Sequence, residues 1–201
     1  MNLQSLALAL LLLVAPAHSA LLDDVKARVS VKDTLRGEFR QEKRIAKLSK
    51  PLLASGQFVY LKQQSLLWQI EKPYASDSII TADTLIQSVN GKTIVRVDAK
   101  SQPAYSAVSR IFMALVAGDW AALEADFVIT GYVDGQRWQL TLKPKAGLFA
   151  SFANTLTLTG ASALQQIDIA EKNGDSTHYT LSQVRAAGAL SAAEQNQFLR
   201  Q

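Results

Sequence analysis

A chain of 201 residues that is 48% hydrophobic and 19% charged has the composition of a folded domain, not of a disordered segment. Its net charge of +4 is spread over residues of both signs, and no basic cluster is interleaved with aromatics, which argues against nucleic acid as a partner. The absence of cysteine excludes a disulfide scaffold, a thiol nucleophile, a Cys/His metal site and a lipid anchor on an N-terminal cysteine.

Leu6 to Ala15 is an almost unbroken apolar run followed by Pro16, Ala17, His18 and Ser19. It is too short to span a hydrocarbon core of about 30 Å. Ala17 and Ser19 supply the small residues at −3 and −1 of a signal-peptidase site, so residues 1–19 are expected to be a signal peptide cleaved near Ser19. The segment Met1 to Ser5 carries no Lys or Arg, leaving the terminal amine as its positive charge. Residues 20–201 are expected to form one exported domain, with no further stretch apolar and long enough to cross a membrane.

Leu21, Leu22, Val25 and Val29 recur at helical spacing, with Asp23 and Asp24 in what reads as the first turn. From Leu35 the period changes to two. Leu35, Gly37, Phe39, Gln41 and Lys43 alternate with Arg36, Glu38, Arg40, Glu42 and Arg44, a strand with a charged outer face. Strands follow over Leu53 to Leu61, Leu66 to Glu71 and Ser78 to Thr81, the first two joined through Lys62 to Ser65 and the second closed by Pro73. Leu66, Trp68 and Ile70 share one face of their strand, and Leu67, Gln69 and Glu71 the other.

Asn90-Gly91 and Asp134-Gly135 mark hairpins, as does Asn173-Gly174-Asp175, because these residues tolerate positive φ. The flanking strands run over Leu85 to Val89, Thr93 to Val97, Phe127 to Tyr132 and Arg137 to Leu142. Phe152 to Thr159, Leu164 to Glu171 and Thr177 to Val184 complete the set. Ten or eleven strands joined by short turns make a mainly antiparallel sheet, and a sheet of that size tends to curl.

Between the two halves, Tyr105, Val108, Ile111, Phe112, Leu115 and Val116 recur at helical spacing opposite Ser106, Ser109 and Arg110, with Gly118 as the stop. Asp119 is placed to cap a short helix through Trp120 and Leu123, and Ser191 with Glu194 has capping-box spacing for a last helix reaching Leu199. No repeat, low-complexity tract or interdomain linker interrupts this order.

Catalytic chemistry is not evident. His178 is the one histidine outside the expected signal peptide, and a lone histidine on a strand reads as a packed or surface residue. No nucleophile elbow or phosphate loop is present. Glu38 and Glu42 share a face with Arg36, Arg40 and Arg44, which ion pairing explains without acid/base work. The apolar inventory is what stands out: Phe39, Phe58, Tyr60, Leu66, Trp68, Ile70, Ile80, Trp138, Leu140, Leu142, Leu156 and Leu158 on strands, with the Tyr105 to Val116 stripe on a helix able to cover them.

The signal peptide, the N-terminal amphipathic helix, Phe39-Arg40-Gln41, Gly56-Gln57-Phe58, Leu66-Leu67-Trp68 and Lys72-Pro73 followed by a hairpin together resemble the LolA family of periplasmic lipoprotein carriers. The resemblance implies a mainly β fold with added α structure, a half-closed antiparallel β-barrel with short helices covering its concave face. It implies that the twelve strand residues named above line an acyl cavity, and that Tyr105, Val108, Ile111, Phe112, Leu115 and Val116 form its lid. Where the family usually has Arg-Pro ahead of the Leu-x-Trp strand, Lys62-Gln63 stands here, with Lys62 at the rim.

The resemblance further implies a non-enzymatic periplasmic carrier, acting as a monomer without cofactor. It would take an acylated lipoprotein or other acyl lipid from an inner-membrane donor toward an outer-membrane acceptor. The alternative is an envelope interaction or sensor protein that uses the same half-barrel to bind a polypeptide partner.

Overall fold

The structure is a computed structural model, and it describes residues 17–29, 33–62, 64–98, 101 and 103–198. Most of the expected signal peptide, residues 1–16, lies outside the described residues. Helix α1 (Ala17–Arg28) starts four residues ahead of its expected beginning at Leu21, because Ala17 to Ala20 extend it toward the N-terminus. Asp23 and Asp24 therefore lie beyond its first turn, which holds no acidic residue. Leu22 and Val25 bury the side of α1 that faces the core.

The rest of the chain builds one antiparallel sheet of eleven strands in the order β6-β5-β4-β3-β2-β1-β11-β10-β9-β8-β7. Strands β1 (Thr34–Arg44), β2 (Leu52–Leu61), β3 (Ser65–Lys72), β4 (Ser76–Thr81), β5 (Thr84–Val89) and β6 (Lys92–Asp98) form one meander. Strands β7 (Phe127–Asp134), β8 (Arg137–Pro144), β9 (Ala153–Gly160), β10 (Leu164–Glu171) and β11 (Ser176–Ala186) form a second. The two meet where β1 pairs antiparallel with β11. Because β6 and β7 remain as edges, the sheet curls without closing, the open-barrel fold that the resemblance implies.

The turns follow the residues that demand them. Asn90 and Gly91 adopt φ of 51° and 73° between β5 and β6, and Gly135 adopts 57° between β7 and β8. Helix α2 (Pro103–Ala117) ends in a Schellman motif: Gly118 at φ 65° donates to Leu115 O at 3.3 Å and Asp119 N donates to Ala114 O at 2.9 Å. The carboxylate of Asp119 then accepts from Ala122 N at 3.2 Å to cap α3 (Trp120–Glu124). Before helix α5 (Ala192–Phe198) the capping box is complete, Ser191 Oγ accepting from Glu194 N at 3.3 Å and Glu194 Oε2 from Ser191 N at 2.6 Å.

Two further features depart from the sequence expectation. The stretch before β9 is a short helix, α4 (Gly147–Phe152), so Phe152 belongs to it and not to the strand. Six residues are too few for periodicity to distinguish helix from strand. The outer face of β2 to β5 also carries a core of its own: Val59, Leu67, Ile79 and Ile86 are buried with Phe198 of α5. Leu67, expected on the less apolar side of its strand, is fully buried there.

Candidate functional site

The concave face is apolar through strand alternation. Leu35, Phe39, Phe58, Tyr60, Leu66 and Trp68 project to it from β1 to β3, and Ile129, Trp138, Leu140, Leu142, Leu156 and Leu158 from β7 to β9; all are buried in one cluster. Ile70 and Ile80 pack against that cluster half-buried. The structure thus gathers the twelve strand residues singled out in the sequence on one side of the sheet.

Trp68 is the centre of this face. Its ring stacks on Phe39 with centroids 3.9 Å apart and on Phe58 at 5.9 Å. Tyr179 meets it edge-on at 6.0 Å. Phe39 and Trp68 stand on strands separated by β2, and their rings meet across the level where β2 carries Gly56, the register partner of Phe39. A Cβ at Gly56 would lie 1.8 Å from the carbonyl oxygen of Gln69, so only glycine fits.

The cover is α2, and topology dictates its place: the chain leaves the edge β6, runs through α2 and α3, and enters the opposite edge β7. Ile111, Leu115 and Val116 are buried against the sheet, and Phe112 is half-buried with its ring edge-on to Trp68 at 5.1 Å. Ser109, expected on the outer side of this helix, is buried as well. The side chains of Tyr105 and Val108, the other expected lid residues, lie outside the described residues. Arg110 Nη2 pairs with Asp126 Oδ2 at 2.9 Å just ahead of β7, a half-exposed contact of about 0–1 kcal/mol. In α3, Trp120 sets its ring against Trp138 at 5.3 Å, and its buried Nε1 has no hydrogen-bond partner among the described residues.

Beneath the C-terminal end of α2 lies a cavity of about 200 Å³ lined by Val29, Leu35, Phe58, Val116, Leu164 and Leu181. At the other end of the strands the concave face turns polar. Lys43 Nζ pairs with Glu171 Oε1 at 3.0 Å, and Thr177 Oγ1 donates to the same oxygen at 3.3 Å. Burial, together with the Glu171 charge, pushes the Tyr179 phenol up to about 12. This polar end was not singled out in the sequence, although alternation puts Lys43 in phase with Phe39. Its partner Glu171 is 128 residues away, and nothing local announces it.

His178 is on the opposite face, its Nδ1 2.6 Å from Asp168 Oδ1 and its Nε2 3.1 Å from Thr180 Oγ1. It borders an outer groove of about 1170 Å³ together with Glu38, Arg40, Gln57 and Thr180. Lys62 is exposed at the rim, but its ammonium lies 4.0 Å from Asp33 Oδ1, and its described contacts include none with α2. A lysine lacks the forked donor geometry with which an arginine could tie a helix to the rim.

A comparison with curated proteins finds no significant match. Among solved structures, the chain is similar to a LolA superfamily protein from Nitrosomonas europaea at 9% identity and a TM-score of 0.50, covering 88% of this chain and 96% of that one. It is also similar to a DUF1329 family protein from Desulfovibrio piger at 12% identity and a TM-score of 0.53, covering 92% and 98% respectively. At such identities the likeness concerns the fold. The family model described as outer membrane lipoprotein carrier protein LolA-like matches residues 14–200, and with its open eleven-stranded sheet the chain belongs to this LolA-like family.

Proposed function

We propose that the protein is a periplasmic carrier that shelters the acyl chains of a lipoprotein or another lipid on its concave face and passes them toward the outer membrane, without catalysing a reaction. Residues 1–19 act as its signal peptide in this reading. The observation that carries it is the relation between lid and cavity. The cavity under the C-terminal end of α2 is about 200 Å³, whereas pockets for small ligands run to about 300–1,000 Å³. Room for an acyl chain therefore comes from displacing α2, which exchanges apolar lid contacts for apolar ligand contacts.

The exchange has to be nearly balanced. Each methylene moved out of water is worth about 0.8 kcal/mol, so a sixteen-carbon chain needs shelter worth about 12 kcal/mol and must still be released. A tethered helix that competes for the same face lowers the net affinity without nucleotide or metal. The twelve strand residues and the lid residues Ile111, Phe112, Leu115 and Val116 are the proposed lining, with Tyr105 and Val108 as further lid positions.

Mass spectrometry of the protein isolated from its native envelope tests the proposal. A retained acyl species is the expected result and names the cargo. Isolation with a polypeptide and no lipid, together with failure to bind an acyl probe, would overturn it in favour of a partner-binding envelope protein.

A further inference from the structure

At the end of the sheet where β1 turns into β2, apolar side chains stand in solvent. Leu48 is 52% exposed and Leu53 is 55% exposed, while Tyr74, in the connection from β3 to β4, is 85% exposed. Topology brings the two connections together: β1 ends at Arg44 where β2 begins at Leu52, and Ser55 of β2 pairs with Lys72 of β3 just before Tyr74. The turn between β10 and β11 supports the same end, with Asp175 Oδ1 accepting from Ala46 N at 2.9 Å. A monomer gains nothing by holding these groups in water, and clustered exposed apolar side chains mark a contact surface.

The charge around them is positive on balance. From Lys43 to Ile70 the chain has no Asp or Glu, and the first connection reads Lys47-Leu48-Ser49-Lys50-Pro51-Leu52-Leu53. Lys47, Lys50, Lys72 and Lys172 are exposed at this end and form no ion pair among the described residues. Among the acidic groups nearby, Glu42 pairs with Arg44, while Glu71, bonded by Gln57 Nε2 at 3.0 Å, and Asp175, bonded by Ala46 N and Asn173 Nδ2, keep their charges against the four lysines. Leucine and an aromatic ring among lysines is the composition that settles at the headgroup level of an anionic bilayer, the rings and aliphatic groups entering the interface and the ammonium groups pairing with phosphates.

We propose that this tip, formed by the connections 45–51 and 73–75 with the start of β2, docks the protein reversibly on an anionic phospholipid surface. The contact is independent of the concave face and would stand even if that face bound something other than lipid. Should the carrier reading hold, the tip adds the step that brings a loaded protein to the bilayer.

The test is sedimentation with vesicles of phosphatidylglycerol mixed with phosphatidylcholine, against vesicles of phosphatidylcholine alone. The unaltered protein is expected to partition onto the anionic vesicles and to be released by high salt. Lys47→Glu with Lys50→Glu should lower that partitioning by at least about tenfold. Leu48→Ser with Leu53→Ser should weaken it and leave a residual, fully salt-sensitive component. All four positions are exposed, so circular dichroism should be unchanged, and binding of an acyl probe to the concave face should be unaffected in both variants. Failure of the unaltered protein to sediment with anionic vesicles overturns the proposal and leaves the tip to a polypeptide partner, as does equal binding to the two vesicle types or wild-type binding by the lysine variant.

Discussion

Phe112 of α2 meets Trp68 of β3 edge-on, with ring centroids 5.1 Å apart and planes at 74°. The contact joins the cover to the aromatic centre of the sheet, where Phe39, Phe58 and Tyr179 also converge on Trp68. Phe112 is half-buried, so truncating it removes lid packing and leaves the sheet intact.

Phe112→Ala is accordingly expected to cost about 1–2 kcal/mol, below the range for a fully buried phenylalanine. In the proposed carrier α2 competes with the ligand for the same face, so the same change should tighten the binding of a fluorescent acyl probe by about tenfold. Titration of the variant beside the unaltered protein measures this. Equal affinities would mean that α2 does not compete for the ligand's place.

Gly56→Ala tests the floor. A Cβ there would enter the backbone of β3 at the carbonyl of Gln69, forcing β2 and β3 apart under the Phe39–Trp68 stack. The expected loss is on the order of 3–5 kcal/mol, in the class of severe backbone and packing conflicts. Urea unfolding followed by tryptophan fluorescence reports it, and an unchanged midpoint would show that the strands can separate at little cost.

The forked pair between Arg36 of β1 and Glu194 of α5 predicts a pH dependence. Arg36 Nε and Nη2 donate to the two carboxylate oxygens at 2.6 and 2.7 Å. Hydrogen bonding from Arg36, aided by the Ser191 backbone and opposed by partial burial, holds the Glu194 carboxyl at about 2 instead of 4.5, and the Arg36 guanidinium is shifted upward by the same bond. A carboxyl lowered in the folded state contributes stability that is complete above about 4.5 and is lost as pH falls toward about 2. At about 1.4 kcal/mol per pKa unit the contribution is on the order of 3–4 kcal/mol. Glu194→Gln should flatten the acid limb of unfolding free energy across that window; a limb as steep as in the unaltered protein would place its origin in other carboxylates.

The strands were readable because their signals are local. Period-two alternation located β1 and β3, and Asn90-Gly91 fixed a hairpin through its positive φ. The spacing of Ile111, Leu115 and Val116 located α2, whose stop at Gly118 is a matter of backbone chemistry. What escaped depends on partners distant in sequence or on segments too short to show a period. Lys43 and Glu171 come together because β1 and β10 both flank β11, a relation no local pattern contains. Leu67 and Ile79 look like ordinary strand residues until α5 brings Phe198 over them. The side on which a strand places its core is set by what covers it.

The path from β6 through α2 and α3 to β7 is the sole covalent bridge between the two meanders, whose other junction is the β1–β11 ladder. In the proposed carrier a helix stitched to both rims of an open trough would behave as a hasp, lifted but not lost, its reclosure needing no search. Its sequence is also free of the inter-strand ladder, so in that reading new side chains on α2 would retune what the trough admits while every strand pairing stays as it is. Specificity and architecture are thereby written in separate parts of one chain.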